Sequence, residues 1–350
     1  MTSYNLKIME IEKELEDTDH YLDFKTEQVK IEKILKLRDQ KNVLILGHNY
    51  MKPLIYHLSD KDSRGDSLAL SMYAAKSTSP IILFDGVRFM AETAKILNPD
   101  KKVLIADLNA GCSLADPFRK QDVLEYKEKF PGAPVVTYIN SYAEVKAESD
   151  YCCTSANALK VVNHASKDFN SNKVIFLPDS LMGKNLENEL GNLESKIELI
   201  YPGKYDNKFG RCEVHEKISA EEIRRIRRQF DLKKGSSDSA VLVHLECPPE
   251  VLAEADYYGS TSGMAKYLLE HPNLKKVYLG TECEMTSNLQ NEFPQIDFVR
   301  ACQVFCQHMR KITLDKILFS LENEVYEINV EENIRRKAKT SIDRMLSIGR

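Results

Sequence analysis

No stretch of this sequence approaches the roughly 20 consecutive apolar residues that span a bilayer. Its longest apolar runs, such as PVVTYI from Pro134 and SAVLVHL from Ser239, have the length of buried strands. The N-terminus, MTSYNLKIMEIEKELEDTD, lacks the unbroken apolar core of a secretory signal, so a cytoplasmic protein with no membrane role is expected. Charge of one sign does not dominate either. The chain has 49 Lys+Arg against 53 Asp+Glu, mixed throughout, and a net charge of −4. That leaves no basic field to attract nucleic acid or anionic lipid and points to small-molecule chemistry. Also absent are a GxGxxG turn, a GxxxxGK[ST] loop, an HExxH helix and a CxxC pair, which removes support for nucleotide-binding and zinc-protease readings. No Gly/Ser/Pro-rich linker or low-complexity tract occurs, so the domains of this 350-residue chain are expected to pack tightly.

What the chain does contain is eight cysteines, at 112, 152, 153, 212, 247, 283, 302 and 306. In a reducing compartment such thiols are more often buried, metal-bound or catalytic than bridged, so no disulfide is expected. The chain also repeats itself. An apolar run ending in polar residues occurs at Asn42–Tyr50 (NVLILGHNY), Ala133–Ser141 (APVVTYINS) and Ser239–Cys247 (SAVLVHLEC). A helix with a small, hydroxyl-rich first turn follows each: GDSLALSMYAAK from Gly65, TSANALKVVNHA from Thr154 and GSTSGMAKYLLE from Gly259. Then come second strands, PIILFDG from Pro80, KVIFLPD from Lys173 and KVYLGTE from Lys276. Each copy closes on a segment carrying one cysteine, at Cys112, Cys212 and Cys306.

Alternating strands and helices imply parallel sheets covered by helices, with functional residues at the carboxyl ends of the strands. The expected fold is therefore α/β: three pseudo-symmetric α/β/α domains with small parallel sheets, facing a centre where the three cysteines meet. The expected boundaries are a helical extension over 1–40 and domains at 41–116, 117–216 and 217–321. The C-terminal helix within 322–350 is expected to pack on the first domain.

Three thiolates suit a soft metal or an iron–sulfur cluster, and three ligands leave one iron open to polarise a carbonyl, carboxylate or hydroxyl. Against this stands the reading of ordinary buried cysteines, which the triplicate placement disfavours. A second alternative makes Cys302, Cys306 and His308 a zinc site. Cys152, Cys153, Cys247 and Cys283 are read as structural. Ser67, Ser155, Ser260 and Thr261 fall at expected helix N-termini, where they serve as plain caps or hold carboxylate and phosphate. His48 and Tyr50, Tyr138 and Asn140, and His244 and Glu246 occupy the expected strand ends, and His215 lies three residues after Cys212.

The segments GHNY, GDSL, DGVRFMAETAKIL, AGCSLAD, VVTYINS, CTSANA, FLPDSLMG, CEVHE, HLECPPEV, YGSTSGM, GTECEM and CQHM resemble, in sequence and order, those of quinolinate synthases, from about Val43 onward. The resemblance implies a 4Fe-4S cluster held by Cys112, Cys212 and Cys306 at the centre of the three domains. It also implies the activity: condensation of iminoaspartate with dihydroxyacetone phosphate, with loss of phosphate and two waters, to quinolinate, the pyridine precursor of NAD. An aspartate oxidase or dehydrogenase would supply the iminoaspartate, and the chain would act as a monomer or homodimer. Matching pocket residues are His48, Tyr50, Ser67, Tyr138, Asn140, Ser155, His215, His244, Glu246, Ser260 and Thr261. Among them Glu246 and Tyr50 are expected to move protons, and His48 and His244 to hold anionic groups at the reacting centre. Ser67, Ser155 and Thr261 are expected to bind carboxylate or phosphate. The chain departs from the family pattern at HLEC, at CQHM, at Tyr201 and over Gly203–Gly210, an insertion that either moves Cys212 or forms a surface turn. The readings that keep the fold without the cluster are a small-molecule binding protein and a sugar-phosphate transferase. The zinc site would instead belong to an interaction protein.

Overall fold

The aliphatic runs form strands that end where the sequence places them. In the computed structural model, which describes residues 2–349, the first sheet contains β1 (Val43–His48), β2 (Arg64–Gly65), β3 (Ile81–Asp85) and β4 (Lys102–Ile105). The second contains β5 (Val135–Tyr138), β6 (Tyr151–Cys153), β7 (Lys173–Leu177) and β8 (Glu198–Ile200). The third contains β9 (Ser239–His244), β10 (Tyr257–Gly259), β11 (Lys276–Gly280) and β12 (Asp297–Phe298). All three share one strand order: β2-β1-β3-β4, β6-β5-β7-β8 and β10-β9-β11-β12. Every pairing between these strands is parallel. Parallel sheets are covered on both faces, which is why Leu83, Phe84, Ile175, Phe176, Leu242 and Val243 are buried along runs without polar alternation. The fold is thus α/β, with three small parallel sheets flanked by helices. The edge strands β2, β6 and β10, of two or three residues each, were not anticipated.

By its contacts the chain divides into two compact units. One comprises Met1–Gly111, Cys283–Pro294 and Phe305–Asn329 and holds the first sheet; the other comprises Cys112–Glu282, Gln295–Val304 and Val330–Arg350 and holds the second and third. In the first unit the extension is a pair of helices, Ser3–Leu15 and Tyr21–Lys41. The second of these stops at Asn42, whose left-handed backbone (φ 50°) an asparagine tolerates well. It packs against helix Leu314–Asn323, and Lys41 Nζ donates to the Leu321 carbonyl at 2.7 Å.

The C-terminal helix departs from expectation. Helix Glu332–Ile348 packs not on the first domain but on helix Ala143–Ala147 and β6 of the second. Its apolar stripe Ala338, Ile342 and Met345 is buried there, and Ser341 Oγ donates to the Lys146 carbonyl at 2.9 Å. Only the stretch to about Ile328 stays with the first sheet, where Ile328 N donates to the Val103 carbonyl at 2.8 Å. The hydroxyl-rich turns also differ between copies. Asp66 caps helix Ser67–Lys76 through Ala69 N at 2.9 Å, and Ser260 caps helix Thr261–Glu270 through Gly263 N at 3.0 Å. In the second copy the Asn157 side chain accepts from Thr154 N at 2.8 Å, so the helix begins only at Ala158. Ser155 therefore lies in the preceding turn rather than at a helix N-terminus.

Candidate active site

Strands β1, β5 and β9 end on His48, Tyr138 and His244, and the second residue beyond each is Tyr50, Asn140 and Glu246. In two copies the backbone turns back on the histidine: Tyr50 N donates to His48 Nδ1 at 3.2 Å, and Glu246 N donates to His244 Nδ1 at 3.3 Å. With Nδ1 of His48 accepting, the proton of its imidazole, when neutral, sits on Nε2. Burial pushes the His48 imidazole down to about 4, against a weaker pull from Asp66, so it is neutral at physiological pH. The Tyr50 ring stands edge-on to it at 5.0 Å, and Ser67 is buried at the start of its helix. These three residues and Cys306 belong to the first unit.

The second unit gathers most of the remaining candidates around Glu246. Its Oε2 faces His215 Nδ1 at 2.8 Å, its Oε1 accepts from Asn140 Nδ2 at 3.3 Å, and His244 Nδ1 lies 3.9 Å from Oε1. The His215 and His244 rings stack at 4.4 Å. Burial alone would raise the Glu246 carboxyl, but His244, His215 and the Tyr138 hydroxyl outweigh it and hold the group below the usual carboxylate range. Tyr138 faces both Glu246 and Ser155, and burial with the Glu246 charge pushes its hydroxyl well up. Ser260 is accounted for by its cap, with Thr261 buried beside it.

Three residues that sequence reasoning passed over support this cluster. Thr281 Oγ1 lies 2.9 Å from His215 Nε2, fixing the ring from its far side. Asn185 Nδ2 donates to the carbonyls of Leu245 and Cys247, both at 2.8 Å, and so clamps the strand end on either side of Glu246. Asp179 is fully buried; one oxygen caps helix Ser180–Asn192 through Met182 N at 2.9 Å and the other has no hydrogen-bond partner. Burial first, then the charge of Glu246, drives this carboxyl well above its ordinary value. Two neighbouring carboxyls are thus pulled toward opposite protonation states. Asp179 follows a strand as the polar tips do, and that was its one sequence signal.

The cysteines fall into separate classes. Cys152 and Cys153 lie within β6 and, like Cys247, are buried with thiols pushed up by desolvation. Cys112, Cys212 and Cys306 are half-buried and not disulfide-bonded. Each opens the same turn: its carbonyl accepts from the backbone N–H four residues on, Asp116 at 2.8 Å, Glu216 at 3.0 Å and Arg310 at 3.1 Å. Ser113 Oγ donates to the Arg211 carbonyl at 3.2 Å and accepts from Glu213 N at 2.9 Å, tying the neighbour of Cys112 to both neighbours of Cys212. Accessible thiols at equivalent turns fit the thiolate donors that iron–sulfur clusters require. Cys212 also lies with His215 and Glu246, their donor atoms all within 4.8 Å of one another. Cys283 and Cys302 are disulfide-bonded, contrary to the expectation of no bridge, so Cys302 offers no thiolate to a zinc site with Cys306 and His308.

The insertion before Cys212 is a turn folded on its own domain. Asp206 Oδ1 accepts from Gly203 N and Lys208 N at 3.1 and 3.0 Å, and Lys208 Nζ pairs with Asp122 at 2.6 Å and Glu125 at 2.7 Å. Its last residue sits against the turn after β7, where Ser180 N donates to the Gly210 carbonyl at 2.8 Å. A Cβ on Gly210 would meet the Pro178 carbonyl oxygen at 2.1 Å. Gly210→Ala is therefore expected to lower stability by about 1–3 kcal/mol, read as a lower urea midpoint at unchanged slope.

Residues 32–347 match the family described as Quinolinate synthetase A protein. The chain is 45% identical to Quinolinate synthase 1 of Mesorhizobium japonicum over 318 residues, 91% of each chain. It is 42% identical to Quinolinate synthase of Caulobacter vibrioides, covering 91% of this chain and 81% of that one. With Quinolinate synthase of Xylella fastidiosa the identity is 41%, over 91% and 87%.

Proposed function

The chain belongs to the Quinolinate synthetase A protein family, and from that premise we propose that it condenses iminoaspartate with dihydroxyacetone phosphate to quinolinate, releasing phosphate and two waters. The observation that carries this reading is the buried Glu246–His215–Thr281 chain, flanked by Tyr138 and His244, in the same unit as Cys212. The reaction joins two small polar molecules and removes water twice, so it requires groups that hold anions and groups that shuttle protons. No described helix is long and apolar enough to cross a membrane, and we place the activity in the cytoplasm.

Cys112, Cys212 and Cys306 are the residues that would hold a 4Fe-4S cluster, whose open iron supplies Lewis-acid polarisation of a substrate carboxylate, carbonyl or hydroxyl. The chain's own residues supply the rest. Ser67 and Thr261 stand first in ten-residue helices, whose positive ends favour the carboxylates of one substrate and the phosphate of the other. His48 and His244 would each hold an anionic oxygen, and Tyr138, Asn140, Ser155 and Ser260 offer further hydrogen bonds. Glu246 accepts the proton lost as the new bonds form, steadied by His215, and Tyr50 serves a second transfer. Excluding water from these buried groups strengthens each contact.

Protein purified without oxygen, incubated with iminoaspartate and dihydroxyacetone phosphate, is expected to yield quinolinate and phosphate in equal amounts. Colourless protein that stays inert after reconstitution with iron and sulfide would sink this reading and leave a three-sheet binding protein.

A further inference from the structure

Residues 3–15 lie outside the family match, yet their helix carries two charged residues turned into the first unit. Lys7 is only 4% exposed, an unusual state for a lysine; its Nζ donates to the Ser59 carbonyl at 2.8 Å and lies 3.4 Å from Asp60. Glu14, two turns further along the same helix, sets Oε2 at 2.5 Å from His57 Nδ1 and 3.1 Å from Arg64 Nη2. Asn291 anchors the backbone carbonyl of Glu14 itself. Arg64 in turn donates to the Ser59 carbonyl at 3.0 Å and lies over the Tyr56 ring at 5.0 Å. The helix thus grips the segment 57–64 at His57, at the Ser59 carbonyl and at Arg64.

Arg64 opens β2. It stands opposite Gly47 in the sheet, and Gly65 stands opposite His48. The Gly65 carbonyl accepts from Asn49 N at 3.1 Å, and the next two residues are the cap Asp66 and Ser67. β2 has only two residues to hold its register, and Gly65, at φ 153°, adds little stiffness of its own. Buried Lys7 and half-buried Glu14 of the first helix supply the constraint that the short strand lacks.

We propose that Glu14 and Lys7 are positioning residues for the anion-binding end at Ser67: by clamping residues 57–64 they fix β2 beside His48 and so set where Ser67 begins its helix. This rests on the reaction proposed above for the catalytic half of its test, but its structural half does not. The helix is an added part of the substrate site rather than an inert extension, and it acts through Arg64 without touching substrate.

The test compares Glu14→Ala and Lys7→Met with the parent by amide hydrogen exchange and steady-state kinetics. Exchange is expected to quicken over residues 57–69 while β3 and β4 keep their protection, and kcat/KM is expected to fall on the order of tenfold, carried by KM rather than kcat. Lys7→Met keeps the length of the buried stem, so it reports on the clamp even where Glu14→Ala unfolds. Unchanged exchange at 57–69, exchange that rises equally across the whole first sheet, or a KM equal to the parent's would each overturn the proposal. Should the parent form no quinolinate, the reaction reading fails, and the exchange pattern alone decides the clamp.

Discussion

Cys212→Ala, purified without oxygen, is expected to be colourless, to hold no iron, and to form no detectable quinolinate, while the parent carries about four irons per chain. The same is expected of Cys112→Ala and Cys306→Ala. The argument is one of chemistry and count. A cluster bound by three thiolates has no spare ligand, and its assembly fails when one is removed, because the remaining sites cannot enclose it. The six cysteines outside disulfides are not equivalent candidates: those at 152, 153 and 247 are buried and pushed toward the protonated form, whereas those at 112, 212 and 306 are half-buried at matching turns. Cys247→Ala serves as the control, and it is expected to keep both iron and colour. Iron retained in Cys212→Ala, or lost in Cys247→Ala, would reassign the ligands.

Glu246→Gln is expected to lower turnover by roughly 10²- to 10⁴-fold with the iron content unchanged. Glutamine reproduces the shape of the side chain and keeps partners for His215 and Asn140, so the fold should survive. What disappears is the proton acceptor. Asp179→Asn gives the contrast. Its buried carboxyl is driven toward the neutral form, which asparagine resembles, so turnover is expected to stay within about tenfold of the parent. Kinetics of the two variants side by side check the assignment: equal losses would remove the distinction between the two carboxyls, and an unimpaired Glu246→Gln would move the proton transfer to Tyr50. The Glu246 shift also has a sign for stability. Its folded value lies below the ordinary 4.5, so its contribution is present above that pH and is lost as the pH falls through the folded value.

The repeat was legible because strand ends are marked twice in the sequence, by the close of an apolar run and by the polar pair that follows. His48 with Tyr50, Tyr138 with Asn140, and His244 with Glu246 all stand where that marking puts them. β2, β6 and β10 were not legible, since two or three residues carry no measurable alternation and owe their pairing to the longer strand beside them. The start of the second hydroxyl-rich helix was misplaced because Asn157, a stronger local hydrogen-bonding group than Ser155, closes its own turn first. The docking of the last helix was misread for a different reason. An apolar stripe states that a helix is buried, and nothing in Ala338, Ile342 and Met345 names the surface that buries it. Thr281 and Asn185 escaped notice because their work is to hold His215 and the Glu246 backbone, and such support leaves no pattern in a single sequence.

That docking has a consequence for how the protein is made. The Ser341 hydroxyl meets the Lys146 carbonyl across 195 positions of chain. During synthesis, at about 5–20 residues per second, the face of the second sheet that Ala338, Ile342 and Met345 will cover therefore waits on the order of ten seconds for its partner. Through that interval it is an uncovered apolar surface beside a short parallel strand, open to misassembly and to chaperones, and Cys152, whose sulfur lies 3.3 Å from Ser341 Oγ, is covered only when the C-terminal helix arrives.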